Sequence, residues 1–124
     1  MDNNMFNIDI NVNEVVNNIE ILDDRLHTAT LVICDTVARQ MENYAKNNRR
    51  WTDRTTNARR GLRGRAYWQD SQNIVTAVMH SVNYGVWLEL AHNKKYAILE
   101  ESVRANIEEL NRALATLFGD DNNN

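Results

Sequence analysis

Apolar side chains along the chain fall into stretches of different period. Phe6, Ile8 and Ile10 alternate with Asn7 and Asp9, the period-two signature of a short strand or extended arm. From Asn11 the spacing changes to steps of three and four, and Val12, Val15, Val16, Ile19, Leu22, Leu26, Ile33, Val37, Met41 and Tyr44 fall on one helical stripe. The pattern predicts one amphipathic helix from about Asn13 to Asn47, with Asn11 or Asn13 as N-cap and Glu14 at its positive start. Such a helix would be roughly 50 Å long at ~1.5 Å per residue. The rest of the chain is too short to cover it on every side, so part of its stripe is expected to meet another subunit.

Residues 48 to 61 carry no apolar period and read as a loop. Leu62, Gly64, Ala66 and Trp68 then alternate with Arg63, Arg65, Tyr67 and Gln69; Asp70-Ser71-Gln72-Asn73 has turn chemistry; and Ile74 to Val82 is rich in β-branched residues. This is a predicted β-hairpin with Arg63 and Arg65 on its polar face and Trp68 on its packed face. Val86 to Ala91 fits a short helix closed by His92-Asn93. Leu99, Val103, Ile107, Leu110, Leu114 and Leu117 mark a second long amphipathic helix, stopped by Gly119 and followed by an Asn-rich tail at 120–124. The expectation is a single α+β domain over 1–119, with a long N-terminal helix, a central antiparallel hairpin or small sheet with a short helix, and a long C-terminal helix.

Composition agrees with one compact unit: 124 residues, 43% hydrophobic and 25% charged, with no proline and only four glycines to break helices. The 19 asparagines carry no assigned role. No apolar run approaches the roughly 18 residues of a bilayer span, and Met1-Asp2-Asn3-Asn4 lacks the basic start of a secretory signal. Cys34 is the sole cysteine, which excludes an internal disulfide framework and fits a reducing compartment. The chain is thus expected to be made and used inside a cell, away from membranes.

Net charge is −3, but its distribution is uneven: residues 1–48 have net −5, residues 49–65 net +6 and residues 66–124 net −4. All seven basic residues of the middle block are arginines: Arg49, Arg50, Arg54, Arg59, Arg60, Arg63 and Arg65. The guanidinium fork matches carboxylate and phosphate equally, so this block suits either the acidic helix of a neighbouring subunit or nucleic acid. A basic patch at one end and acidic helices at the other favour head-to-tail contacts that close into a ring. Contact with DNA lacks a recognition motif, and acidic segments flank the patch. Trp51, set among arginines, is the tryptophan best placed for guanidinium stacking.

Catalytic candidates are few. Glu89 and His92 stand three apart, a spacing that puts both on one helical face as metal ligands or an acid/base pair. Metal sites use three or four ligands, and His27, His80 and Cys34 lie in separate predicted elements without motif spacing. Cys34 sits between Ile33 and Val37 as a small buried hydrophobe. No nucleophile elbow, glycine-rich phosphate loop or paired-carboxylate motif occurs, so no enzyme activity, metal or cofactor is expected.

The order Trp51-x-Asp53-Arg54-Thr55-x-Asn57-Ala58-Arg59-x-Gly61-Leu62, a hairpin, His80-x-Val82-x-Tyr84-Gly85-x-Trp87-Leu88-Glu89 and Tyr96-Ala97-Ile98-Leu99 resembles the neck and tail-completion proteins of long-tailed bacteriophages. That family also places a long helix first and another last, and its corresponding region after the hairpin is commonly aromatic, with a glutamate at the position of Glu89. Where relatives often have a proline after the Ile-Leu pair, this chain has Glu100-Glu101, so its last helix is expected to start differently.

The resemblance implies a non-catalytic virion subunit that forms a ring, six-fold by analogy, at the head–tail junction. Its implied partners are copies of itself, other neck proteins and the tail tube or terminator, with possible contact to DNA in the channel, after assembly in the host cytoplasm. Tail-terminator and head-closure subunits share parts of this architecture. A small DNA-associated protein using the same arginines is the alternative from a different class.

Overall fold

A computed structural model of the chain describes residues 6–8, 12–21, 23–48, 61–80 and 98–119. They form strands β1 (Phe6–Ile8) and β2 (Val12–Asn18), helix α1 (Asp24–Asn48), strands β3 (Leu62–Trp68) and β4 (Asn73–His80), and helix α2 (Leu99–Leu117). The fold class is α+β, as the sequence predicts. All four strands make one antiparallel sheet in the order β1-β2-β4-β3. Strands β2 and β3 therefore run parallel to one another with β4 between them, and α1 is the connection that crosses from one to the other.

The first helix begins about ten residues later than its apolar period predicts, because residues 12–18 form a strand. Three of those seven residues are valines and three are asparagines, side chains that favour extended or turn backbone over helix interiors. The alternation is hidden because the inward positions are Asn13, Val15 and Asn17, only one of them apolar. Asn11 lies outside the described residues; Asn13 and Glu14 lie within β2, so Asn13 is not an N-cap and Glu14 does not start a helix. That place belongs to Asp23, whose Oδ1 accepts the backbone N–H of Arg25 at 2.8 Å.

The hairpin falls where the sequence puts it. Asp70 Oδ1 accepts the N–H groups of both Gln72 and Asn73 at 2.8 Å, an Asx turn that fixes the register Trp68↔Ile74 through Leu62↔His80. These bonds, with the side chain of Asn73 first among them, hold the exposed Asp70 carboxyl below its ordinary pKa. Helix α2 also stands where predicted and ends before Gly119, whose φ of 70° is the left-handed conformation of a helix stop.

Both helices lie on one face of the sheet, α1 over β3 and β4 and α2 over β2 and β4. The core between them contains Val37 and Met41 of α1, Leu62, Ile74 and Val78 of the sheet, and Leu110 of α2. Cys34 is buried here, as its sequence neighbours imply; burial pushes its thiol pKa up and the influence of the Thr76 side chain only partly offsets this. A hydrogen bond of 2.6 Å from Tyr44 Oη to Glu101 Oε2 ties α1 to the start of α2.

The tightest approach is between α1 and β3. A Cβ built on Gly64 would stand 1.8 Å from the carbonyl oxygen of Ala38 and 2.5 Å from its carbon, so only glycine lets helix backbone sit on strand backbone here. Because the obstacle is backbone, Gly64→Ala should lower stability by about 2–3 kcal/mol, seen as an earlier denaturant midpoint. A midpoint equal to that of the natural protein would show that α1 moves off the sheet at little cost.

The predicted loop with Arg49, Arg50, Trp51, Arg54, Arg59 and Arg60 lies outside the described residues. So do the short helix at 86–91, the segment with Tyr84, Gly85, Trp87, Leu88 and Glu89, His92, and the tail at 120–124.

Candidate functional site

Arg63 and Arg65 are the members of the arginine block that fall on described residues, and both lie on β3, the edge strand. Alternate residues of an edge strand turn their N–H groups away from the sheet, where they invite another chain. Here they are taken up by α1. Gly64 donates its N–H to Glu42 Oε1 at 2.8 Å, and Ala66 donates to Asp35 Oδ1 at 3.1 Å. The two carboxylates stand seven residues apart on α1, two helical turns, and so face the same strand.

Each carboxylate is in turn held by a cation one turn along the helix. Arg39 Nε lies 2.9 Å from Asp35 Oδ2, and Lys46 Nζ lies 2.7 Å from Glu42 Oε2. Burial is the largest single influence on Glu42 and pushes its carboxyl pKa up. The hydrogen bonds from Lys46 and Gly64, with the charges of Lys46 and Arg63, together outweigh it and leave the group below its ordinary value.

The result is an open cleft of about 410 Å³ between α1 and β3, lined by Asp35, Arg39 and Glu42 on one side and Arg63 and Arg65 on the other. Its glycine floor keeps it shallow. Carboxylates and guanidinium groups alternate along it, so it matches a partner surface with both signs of charge better than an unbroken row of phosphates. The sequence placed Arg63 and Arg65 on an exposed polar face, and both are exposed. It missed Asp35, Arg39 and Glu42, which earlier in the chain look like ordinary i, i+4 surface pairs. Their seven-residue spacing on one helix face, opposite a Gly-x-Ala strand, is the signal that was available.

His27 also has a structural place. It meets Trp68 edge-on at 4.6 Å between ring centroids, receives the indole N–H on its backbone carbonyl at 3.3 Å, and sets its Nε2 3.0 Å from the carbonyl of Ser71. These contacts fasten the hairpin turn to the start of α1. Among the described residues no group of three metal-ligating side chains converges, and no helix is long and apolar enough to cross a membrane.

No family model, curated protein or solved structure matches the chain.

Glu42 supplies a test of the edge. Glu42→Ala leaves the Gly64 N–H without its acceptor and should cost about 1–3 kcal/mol. Because the folded carboxyl is held below its ordinary value of 4.5, its contribution is fully present above that pH and is lost as pH falls through the lowered value. Glu42→Gln, which keeps an acceptor but not the charge, should therefore flatten that part of the acid stability profile measured by denaturant titration. An unchanged profile would mean that the carboxylate charge contributes nothing to the edge.

Proposed function

We propose that the chain is a structural virion protein of a long-tailed phage, a ring subunit of the neck that completes the tail and joins it to the head. The family resemblance in the Trp51–Leu99 segment names the setting, and the sheet edge supplies the physical support. Arg63 and Arg65 stand exposed on an edge strand two of whose N–H groups, those of Gly64 and Ala66, are already occupied by Glu42 and Asp35. Such an edge resists indiscriminate strand addition while presenting fixed charges to a specific neighbour, as a repeated assembly contact requires.

The remaining arginines of the 49–65 block extend the same positive charge along the chain from β3. In this reading they contact an adjacent subunit or another neck protein, and no step calls for a catalytic group or cofactor. A tail-terminator or head-closure subunit of the same neck would use the surface in the same way. DNA contact is the weaker reading, because two carboxylates line the cleft in which Arg63 and Arg65 stand.

Electron microscopy of a lysate from a phage with this gene disrupted tests the proposal. DNA-filled heads beside unattached, full-length tails are the expected result, and intact infectious particles would overturn it. In a complemented phage, changing Arg59, Arg60 and Arg63 to Glu should leave the subunit folded by circular dichroism but abolish joining. An unaltered titre would remove the arginine segment from the contact.

A further inference from the structure

Strand β3 closes one side of the sheet, and its backbone groups alternate in direction. Inside the hairpin Gln69 donates its N–H to the carbonyl of Asn73 at 2.8 Å, so odd-numbered residues of β3 face β4, and Leu62, Gly64, Ala66 and Trp68 turn both N–H and C=O outward. Of these outward groups, the N–H groups of Gly64 and Ala66 are capped by Glu42 and Asp35, and the carbonyl of Leu62 accepts Arg63 Nη1 at 3.0 Å. The carbonyls of Gly64 and Ala66 accept no hydrogen bond among the described residues. At these two positions the edge is closed as a donor and open as an acceptor.

The caps are also removable. Each carboxylate has a cation on its own helix, Arg39 for Asp35 and Lys46 for Glu42, so it can swing off the strand without becoming an unpaired charge. The Asp35 cap is the looser of the two: its bond to Ala66 is 3.1 Å against 2.8 Å at Gly64, and its side chain is 30% exposed against 18% for Glu42. A strand arriving in the open cleft gives its carbonyls to the two N–H groups in place of the carboxylates, and its own N–H groups to the two open carbonyls. The first exchange is even, and the second adds hydrogen bonds that the edge does not make alone.

The odd-numbered side chains determine what such a strand must carry. Arg63, Arg65 and Tyr67 stand exposed at alternate positions on the sheet face opposite to that of Gly64, and Arg65 makes no ion pair among the described residues. Toward an added antiparallel strand these are the non-hydrogen-bonded positions, where facing residues come closest, with Cα atoms about 4.5 Å apart. The complement is an aromatic or β-branched residue opposite Tyr67 and an acidic residue opposite each arginine. In the direction of the added chain this reads apolar-x-acid-x-acid.

We propose that β3 is a guarded strand-addition site: an extended acidic segment of a partner protein displaces Asp35 and Glu42 and pairs with Gly64 and Ala66, its carboxylates facing Arg63 and Arg65. A phosphate backbone has no N–H donors for the open carbonyls and would use the arginines alone. The inference deepens the reading above by giving the form of the partner at the same arginines, and rests on it for taking that partner to be a protein.

The test is binding of a fluorescein-labelled peptide, Thr-Tyr-Thr-Glu-Val-Glu-Thr with an amidated C-terminus, to the full chain, followed by fluorescence anisotropy. Its central Thr and its Val fall opposite Ala66 and Gly64, and N-methylation of those two amides removes the donors while keeping the charges. Methylation should weaken binding by roughly tenfold or more, as should replacement of both Glu by Lys. Arg65→Glu should weaken the acidic peptide and strengthen the lysine one, and Asp35→Ala, with one guard removed, should tighten the acidic peptide several-fold, both variants being checked as folded by circular dichroism. No binding of the acidic peptide at millimolar concentration, equal binding of the methylated or lysine peptide, or no gain in Asp35→Ala would each overturn the proposal. Failure here beside a positive gene-disruption result would leave the neck reading standing without this edge, and binding here beside intact particles would leave the edge standing without the neck.

Discussion

The close seating of α1 on β3 is the constraint on which the rest of the molecule depends. Gly64 removes the one side chain that would hold helix and strand apart, and only at that separation do Asp35 and Glu42 reach the edge N–H groups. The same approach sets the depth of the charged cleft. A missing methyl group and two carboxylates thus act together, since neither alone would give a closed edge. An edge strand left bare is a standing risk of uncontrolled association.

Parts of the architecture were legible where local chemistry and long-range packing agree. The hairpin was readable because the Asx turn at Asp70 and the alternation in Leu62–Trp68 say the same thing, and α2 because its apolar spacing runs unbroken to a glycine stop. The start of α1 was misread for an equally physical reason. In residues 12–18 the sheet accepts Asn13 and Asn17 on its inner face, so the apolar residues that remain fall by coincidence into helical steps. The side chain of Asp23 was the better local marker, because it offers a cap immediately before a sustained helical stripe.

The site was legible only in part. Arginine clustering is visible as composition, and its placement on a polar strand face follows from period two. The carboxylate half was not visible, because its meaning arises only when a helix 22 to 31 residues earlier in the chain lies along that strand. Charge pairs at i, i+4 are common on helix surfaces and contribute little there. Their role here comes from what the second oxygen of each carboxylate accepts, which no helical period encodes.

The order of strands has a consequence for how the chain acquires this structure during synthesis. One of the two interior strands of the sheet, β4, is the last of the four to be made, after both of its neighbours. Until Asn73–His80 has left the ribosome, β2 and β3 have no common partner, and α1 has no completed sheet to cover. Sequence-distant pairing such as Val15 with Thr76 must therefore follow local helix and turn formation. During synthesis α1 therefore precedes the strand that completes the surface it covers, whereas α2 follows that strand.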